Sequence, residues 1–409
     1  MQSRWDVVVV GAGNAAFSAA FAAREHVERV LMLEKAPREW LGGNSYFTAG
    51  AIRTTYSGLD DLRPLIEERL TDEQAARIEL PPYTPEQFLA DMERVTEGQC
   101  DKDLAGILVH DAAGTTRWLH ERGLRFRLMY DRQSFEVGGK RRFFGNLTLG
   151  TVGGGQGLIE QELAAAERLG IEIRYESPVV GLLRASDGAV RGVVVRRPDG
   201  RTEEIEAGAT VLAAGGFEAN AAMRAEHLGP GWERAKVRGA PYNTGEVLRL
   251  ALEAGAQPYG HWAGCHSIQW DAAAPDTGDR ERTNLLSRQS YPIGIVVNAR
   301  AERFLDEGAD FRNYTYAKYG AEILKQPGGI AYQLFDARTE PLLRQDEYTS
   351  PGVSRVEART IRELAGRLGL DPDALERTIR EFNAAIGPGE FNPAIKDGKR
   401  TAGIAPPKS

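Results

Sequence analysis

Val7-Val8-Val9-Val10-Gly11-Ala12-Gly13-Asn14-Ala15-Ala16 is the stretch whose reading decides the fold. Four β-branched residues in a row, with no polar residue among them, fit a strand buried on both faces of a parallel sheet. A glycine turn follows, then an alanine-rich helix running to about Arg24. A second apolar run, Val30-Leu31-Met32-Leu33, ends in Glu34. Strand, Gly-x-Gly-x-x-Ala turn, helix, strand and acid make a dinucleotide-binding βαβ unit. Gly11 permits the tight turn. Gly13 has no Cβ, so a pyrophosphate can approach the N–H groups of Asn14 and Ala15 at the helix start. Ala16 is small enough for the helix to pack on the strand. Glu34, with Lys35 beside it, stands where a carboxylate accepts hydrogen bonds from a ribose hydroxyl. These mechanics imply an adenine dinucleotide and do not by themselves separate FAD from NAD.

Working outward, three further glycine stretches favour FAD. Leu41-Gly42-Gly43-Asn44-Ser45 follows closely on Glu34, and Gly50 ends the same loop. Gly153-Gly154-Gly155-Gln156-Gly157 precedes an amphipathic helix that leads into a strand at Ile171–Tyr175. Turns at Ser186-Asp187-Gly188 and Pro198-Asp199-Gly200 divide a β-meander with strands at 179–184, 189–197 and 201–206. A separate strand, Thr210–Ala214, then runs into Gly215. The expected fold class is α/β: a Rossmann-like FAD-binding domain of the glutathione-reductase type with a β-meander, plus an α+β capping domain.

Between the first loop and the meander, Thr84, Pro85 and Gln87 give a capping box and a helix over Pro85–Thr96, and a second helix spans Leu104–Glu121. After about residue 260 the sequence turns to aromatics, prolines and short elements. Here the patterns predict strands at 293–298 and 330–335 and helices at 314–325, 358–367 and 373–386. The expected division is 1–260 for the FAD-binding domain and 261–409 for the capping, substrate domain.

A formal net charge of −7 leaves no basic excess for phosphate backbones, so nucleic acid is not an expected partner. The two cysteines, Cys100 and Cys265, form no disulfide framework and no metal spacing, and no metal is expected. The opening MQSRW enters a strand with no room for a signal peptide, and no apolar run approaches the ~20 residues of a membrane span. The expectation is a cytoplasmic protein that does not span the membrane.

Taken together, these stretches resemble the flavoprotein family of fumarate reductase and succinate dehydrogenase, which also holds the 3-ketosteroid dehydrogenases. The resemblance implies FAD contacts at Gly11, Gly13, Ala16, Glu34, Gly42, Gly43, Asn44, Ser45, Ala214 and Gly215, with the backbone of Val179 meeting adenine. Ala36-Pro37-Arg38-Glu39-Trp40, Pro241-Tyr242-Asn243-Thr244-Gly245 and the run from Asp306 to Tyr319 are similar to the tricarballylate dehydrogenase subfamily. That subfamily oxidises a tricarboxylate to cis-aconitate and leaves its electrons to a membrane-bound acceptor protein. The stretch Asn44-Ser45-Tyr46-Phe47-Thr48 lacks the histidine that bonds FAD covalently in succinate dehydrogenases, so non-covalent FAD is expected. Ser287-Arg288-Gln289-Ser290 stands where fumarate reductases carry a Glu-x-x-Arg proton relay. Family members continue past a segment like Pro406-Pro407-Lys408-Ser409, so the expectation is that the segment returning to the FAD domain is missing.

By the same resemblance Arg312 is the acid–base group and His266 binds a substrate carboxylate. Thr244 and Gly245, opening a helix, offer N–H groups to another carboxylate. Each has a plainer alternative. Arg312 could pair with Asp310 or Glu307, His266 could be a structural histidine, and Thr244 could be an ordinary helix cap; Glu307 itself reads as structural. The expected chemistry is hydride transfer from a saturated polycarboxylate to flavin N5, with cations stabilising the developing charge. The alternatives are a fumarate-reductase-like or 3-ketosteroid-dehydrogenase-like enzyme, or an FAD-binding fragment without activity.

Overall fold

The computed structural model describes residues 4–390, 392, 394–396 and 400–409. The first three residues, on which the expectation about a leader partly rests, lie outside them. The valine run forms β1 (Trp5–Val10), the alanine-rich stretch α1 (Asn14–Arg24), and the second apolar run β2 (Val30–Leu33). β2 is buried throughout, as a strand covered on both faces must be. The glycine-rich helix is α2 (Gly154–Arg168), followed by β3 (Glu172–Arg174), β4 (Val179–Arg184), β5 (Val190–Arg196) and β6 (Thr202–Leu212). One six-stranded sheet orders them β4-β5-β6-β1-β2-β3. β6, β1, β2 and β3 run parallel, while β4, β5 and β6 form the antiparallel meander.

One expectation is corrected here. The runs 201–206 and 210–214 are a single strand, because the chain does not turn at Ala207-Gly208-Ala209. The first half of β6 pairs with β5 and the second half with β1, from Ala207 opposite Trp5 to Leu212 opposite Val10. Gly208 lies flat against β1, where a Cβ would meet the carbonyl oxygen of Asp6 at 2.7 Å. That close approach, rather than a turn, is what its small size serves.

Helices cover both faces of the sheet. On one, Ala16, Phe17, Ala20 and Phe21 of α1 pack with Ile159, Ala165 and Ala166 of α2. The helix opened by Thr84 spans Pro85–Val95 with both halves of its capping box made: Gln87 N–H to Thr84 Oγ1 at 3.3 Å, and Thr84 N–H to Gln87 Oε1 at 3.0 Å. The capped helix and its successor, Lys102–Glu121, cover a cluster around Tyr83, Phe126 and Leu128. Small strands that the periodicity does not reveal join it, Ala51–Ile52 with Leu149–Thr151 with Phe126–Leu128.

Beyond α3 (Glu246–Glu253) the chain builds β7 (Ile295–Asn298), α4 (Arg312–Leu324), β8 (Ala331–Leu334), α5 (Ile361–Leu368) and α6 (Pro372–Ala385). β7 and β8 form an antiparallel pair that packs under α5 and α6 through Val297, Ala365 and Leu375. Asp371 caps α6, accepting from the N–H groups of Asp373 at 2.9 Å and Ala374 at 3.3 Å. Among the described residues no helix is long and apolar enough to cross a membrane.

Candidate active site

The nucleotide mouth opens at the carboxyl ends of β1 and β2. Gly11 donates its N–H to Leu33 O at 2.8 Å and lies beneath Ala213. Gly13, before α1, has no side chain to cap the helix; Gly13, Asn14 and Ala15 are reached by solvent, while Ala16 is fully buried against the sheet. Apart from Asn14 N–H, which Ser45 Oγ accepts, such a helix start offers its N–H groups and a favourable dipole to an anion. A Cβ at Gly13 would fill the gap to Ser45 Oγ, 3.4 Å away, and to Gly42 O, 3.5 Å away.

The loop after β2 closes the other side of this mouth. Gly42 accepts from Ser45 N–H at 3.1 Å, turning the chain into a short 3-10 helix, Gly43–Phe47. Ser45 Oγ accepts from Asn14 N–H at 3.2 Å, tying the loop to the helix start. Asn44 Oδ1 accepts from Ala240 N–H at 2.9 Å, and Gly43 lies near Asn243. The same Asn243 packs against Gly215, which follows Ala214 at the end of β6. Gly50 O accepts from Thr151 N–H at 2.8 Å. The start of α2 backs the loop. At Gly155 a side chain would run into the carbonyl oxygens of Ser45 at 2.5 Å and Tyr46 at 2.6 Å, which accounts for the glycines there.

Glu34 is 9% exposed and faces the mouth, its Oε1 accepting from Ala36 N–H at 2.8 Å. Burial raises its pKa above the usual carboxylate range, against the pull of the Ala36 and Ala12 N–H groups. A buried acceptor beside the glycine turn is what a ribose hydroxyl requires. Val179 is buried in the sheet among Val8, Leu31 and Leu33. Lys35 Nζ bonds Thr244 Oγ1 and lies 3.0 Å from Glu246. Thr244 thus stands with Lys35, on the nucleotide side, and Gly245 begins α3 against Met223.

The second half of the site is a cluster of cations. Arg312, the first residue of α4, donates Nη1 to Gln289 Oε1 at 2.6 Å and Nη2 to Arg132 O at 3.1 Å and to Asn313 Oδ1 at 3.0 Å. Every one of these acceptors is neutral. Asp310 pairs instead with Arg94, and Glu307 with Arg303. Arg312 also lies over the Tyr316 ring at 5.8 Å, and the His266 ring meets the same tyrosine edge-on at 5.0 Å. Arg312 and His266 are therefore brought to one place.

Three arginines that no motif announces join them. Arg344 donates Nη1 to Gln289 Oε1 at 2.8 Å, so it shares an acceptor with Arg312. Arg344 and Arg132 flank Glu347 at 2.9 and 3.5 Å. Arg238 donates to Asn284 Oδ1 at 2.7 Å. Burial pulls Arg132 and Arg344 down to about 10, with neighbouring guanidinium charge adding to it, and lowers Arg312 and Arg238 as well. His266 is open to solvent yet ringed by protein. Burial first, and then the Arg238 charge, push it down to about 4. Like charges converge in this way where an anion is to be bound. The segment in place of the relay serves other ends: Arg288 pairs with the buried Asp271, and Gln289 bridges Arg312 and Arg344.

The family model described as FAD binding domain matches residues 6–400. A probable fumarate reductase of Shewanella frigidimarina is 27% identical over 385 residues, covering 94% of this chain and 59% of that protein. The open conformation of a flavocytochrome c3 fumarate reductase superposes with a TM-score of 0.65 at 26% identity, over 94% of this chain and 62% of the other. The 3-ketosteroid-Δ4-(5α)-dehydrogenase of Rhodococcus jostii RHA1 shares the fold, with a TM-score of 0.65 at 20% identity over 94% of this chain and 78% of its own. This chain spans about three fifths of the length of the fumarate reductases it matches. The chain belongs to the FAD binding domain family, the flavoproteins of the fumarate reductase and succinate dehydrogenase type, and its cofactor is FAD.

Proposed function

We propose that this protein is a cytoplasmic FAD-dependent dehydrogenase. It removes two vicinal hydrogens from tricarballylate, or a similar polycarboxylate, to give an unsaturated acid such as cis-aconitate. The observation that supports this most is the surplus of cations around Arg312, whose side chain is held by neutral acceptors and so keeps its charge free for a substrate. An apolar steroid would find no counterpart in such a cluster.

Residues 1–260 hold FAD non-covalently. Gly13, Asn14 and Ala15 receive the pyrophosphate, Glu34 the ribose, and the 42–45 loop, Gly50, Val179 and Ala214–Gly215 the remainder. FAD, when bound, supplies the hydride acceptor at N5. Residues 261–409 cap the site and bring His266 and Arg312 to the substrate. Arg312 and His266 clamp carboxylates and fix the reacting carbons. For the proton step Arg312 acts from its neutral form: its guanidine takes the proton from the carbon next to a carboxylate as the hydride leaves, and the guanidinium it becomes stabilises the remaining charge. A guanidine does so only with a depressed pKa, and burial together with the Arg132 charge acts in that direction. The helix start at Thr244 and Gly245 is a weaker candidate for a further carboxylate. The electrons leave to a separate membrane-bound acceptor protein.

The test is anaerobic mixing of the FAD-loaded chain with tricarballylate. Bleaching of the visible flavin absorbance and formation of an unsaturated tricarboxylate are expected. A flavin that stays oxidised in a chain shown to bind the acid would contradict the reading.

A further inference from the structure

We propose that Arg344 and Arg132, held by Glu347, form a carboxylate-binding arm beside Arg312 that selects substrates with a third carboxylate over dicarboxylates. The proposal rests on the polycarboxylate reading above and adds to it the residues that count the charges.

The geometry begins at Gln289, which is 4% exposed. Its single Oε1 accepts from Nη1 of Arg312 and Nη1 of Arg344, so the two guanidinium groups lie side by side. The other end of Arg344 points to Glu347, which is 1% exposed and also faces Arg132. Glu347 is held there by charge, since neither of its oxygens has an aligned hydrogen bond among the described residues. A carboxylate buried in this way, without good hydrogen bonds, is costly unless it holds something in place. Here it neutralises one guanidinium and fixes two. Arg312 and Arg238 rest on the neutral side chains of Gln289 and Asn284. Asp131, at the rim, is exposed, bonded to Arg127 at 3.0 Å and 3.9 Å from Arg132. Four arginines thus surround one buried carboxylate, and among the described residues Arg312 and Arg238 have no ion-pair partner. Two carboxylates answer Arg312 and Arg238, and a third meets the Arg344–Arg132 arm, which a dicarboxylate leaves unanswered.

The experiment is calorimetric titration of the FAD-loaded full chain with tricarballylate and with succinate, which lacks the third carboxylate. In Arg344→Gln the Kd for tricarballylate should rise about 10- to 100-fold, the loss expected for one charge-assisted contact, while that for succinate stays within about twofold. Equal weakening of both acids, or no change in either, would overturn the proposal and leave the polycarboxylate reading standing. If the unaltered chain binds neither acid, that reading fails and this one with it. Retained FAD absorbance and an unchanged melting midpoint establish that the variant is folded. Should Arg344→Gln not fold, Arg132→Gln, which leaves the Arg344–Glu347 pair whole, carries the same comparison with the same two outcomes.

Discussion

Nη1 of Arg312 lies 2.6 Å from Oε1 of Gln289, a charged donor resting on an uncharged acceptor. Because no carboxylate among the described residues is ion-paired with Arg312, and Glu347 keeps Arg344 and Arg132, removing its side chain orphans no buried charge. Arg312→Ala should therefore keep FAD and the melting midpoint. Its rate of flavin reduction by tricarballylate should fall about 100- to 1000-fold, as for loss of a group that stabilises transition-state charge. Stopped-flow absorbance reads the rate and the resting spectrum reads the FAD. Loss of FAD together with activity would make the residue structural.

His266 is uncharged in the free protein at neutral pH, since burial and Arg238 hold it near 4. A bound carboxylate beside it acts in the opposite direction and favours the imidazolium. Binding at about pH 5.5, below the ordinary histidine value, should then take up protons. Titrations in buffers of different ionisation enthalpy measure this uptake, and His266→Gln should abolish it. Uptake unchanged in the variant would place the proton elsewhere.

The glycine turn, the helix behind it and Glu34 were legible in the sequence because each rests on neighbours within a few residues. So was the capping box at Thr84. The arginine cluster was not. Arg132, Arg238, Arg312 and Arg344 come from four distant segments, and no spacing relates them; only packing brings them to Gln289, Asn284 and Glu347. The helix start at Thr244 was visible, but not that its hydroxyl would be engaged by Lys35. The pattern divides strand β6, because Ala207-Gly208-Ala209 carries no β signal, although pairing to β5 and β1 keeps it extended.

Glu162, in α2, is fully buried, and its two oxygens have no hydrogen-bond partner among the described residues. Burial alone raises its pKa to about 8. In the unfolded chain it ionises near the usual carboxylate value, at about 4.3. Between about pH 5 and about pH 8 the unfolded state has therefore lost a proton that the folded state keeps. Stability should fall as pH rises through this window, by up to about 1.4 kcal/mol per pH unit, and level off above it. Glu162→Gln should flatten the dependence and be the more stable protein at about pH 8. Denaturant unfolding across the range checks this; parallel curves for the two proteins would contradict it.

Glu307 and Arg303 form a buried pair, 0% and 5% exposed, in which Glu307 Oε1 also accepts from Val296 N–H at 2.8 Å. Arg303 donates onward to Pro406 O at 2.7 Å. Glu307→Gln leaves a guanidinium buried without its counter-charge and should cost about 3–5 kcal/mol of stability. Urea unfolding reads the cost, and a loss below about 1 kcal/mol would show that the pair is relieved by solvent.

Whether the open helix start at Gly13 holds the coenzyme is tested most directly by FAD titration of the apoprotein, followed by flavin fluorescence. One FAD per chain is expected. In Gly13→Val, whose branched side chain fills the gap toward Ser45 Oγ and Gly42 O, binding should be lost while the fold is kept. A chain that takes up no FAD, or a Gly13→Val variant that binds it as tightly as the unaltered protein, would contradict the account.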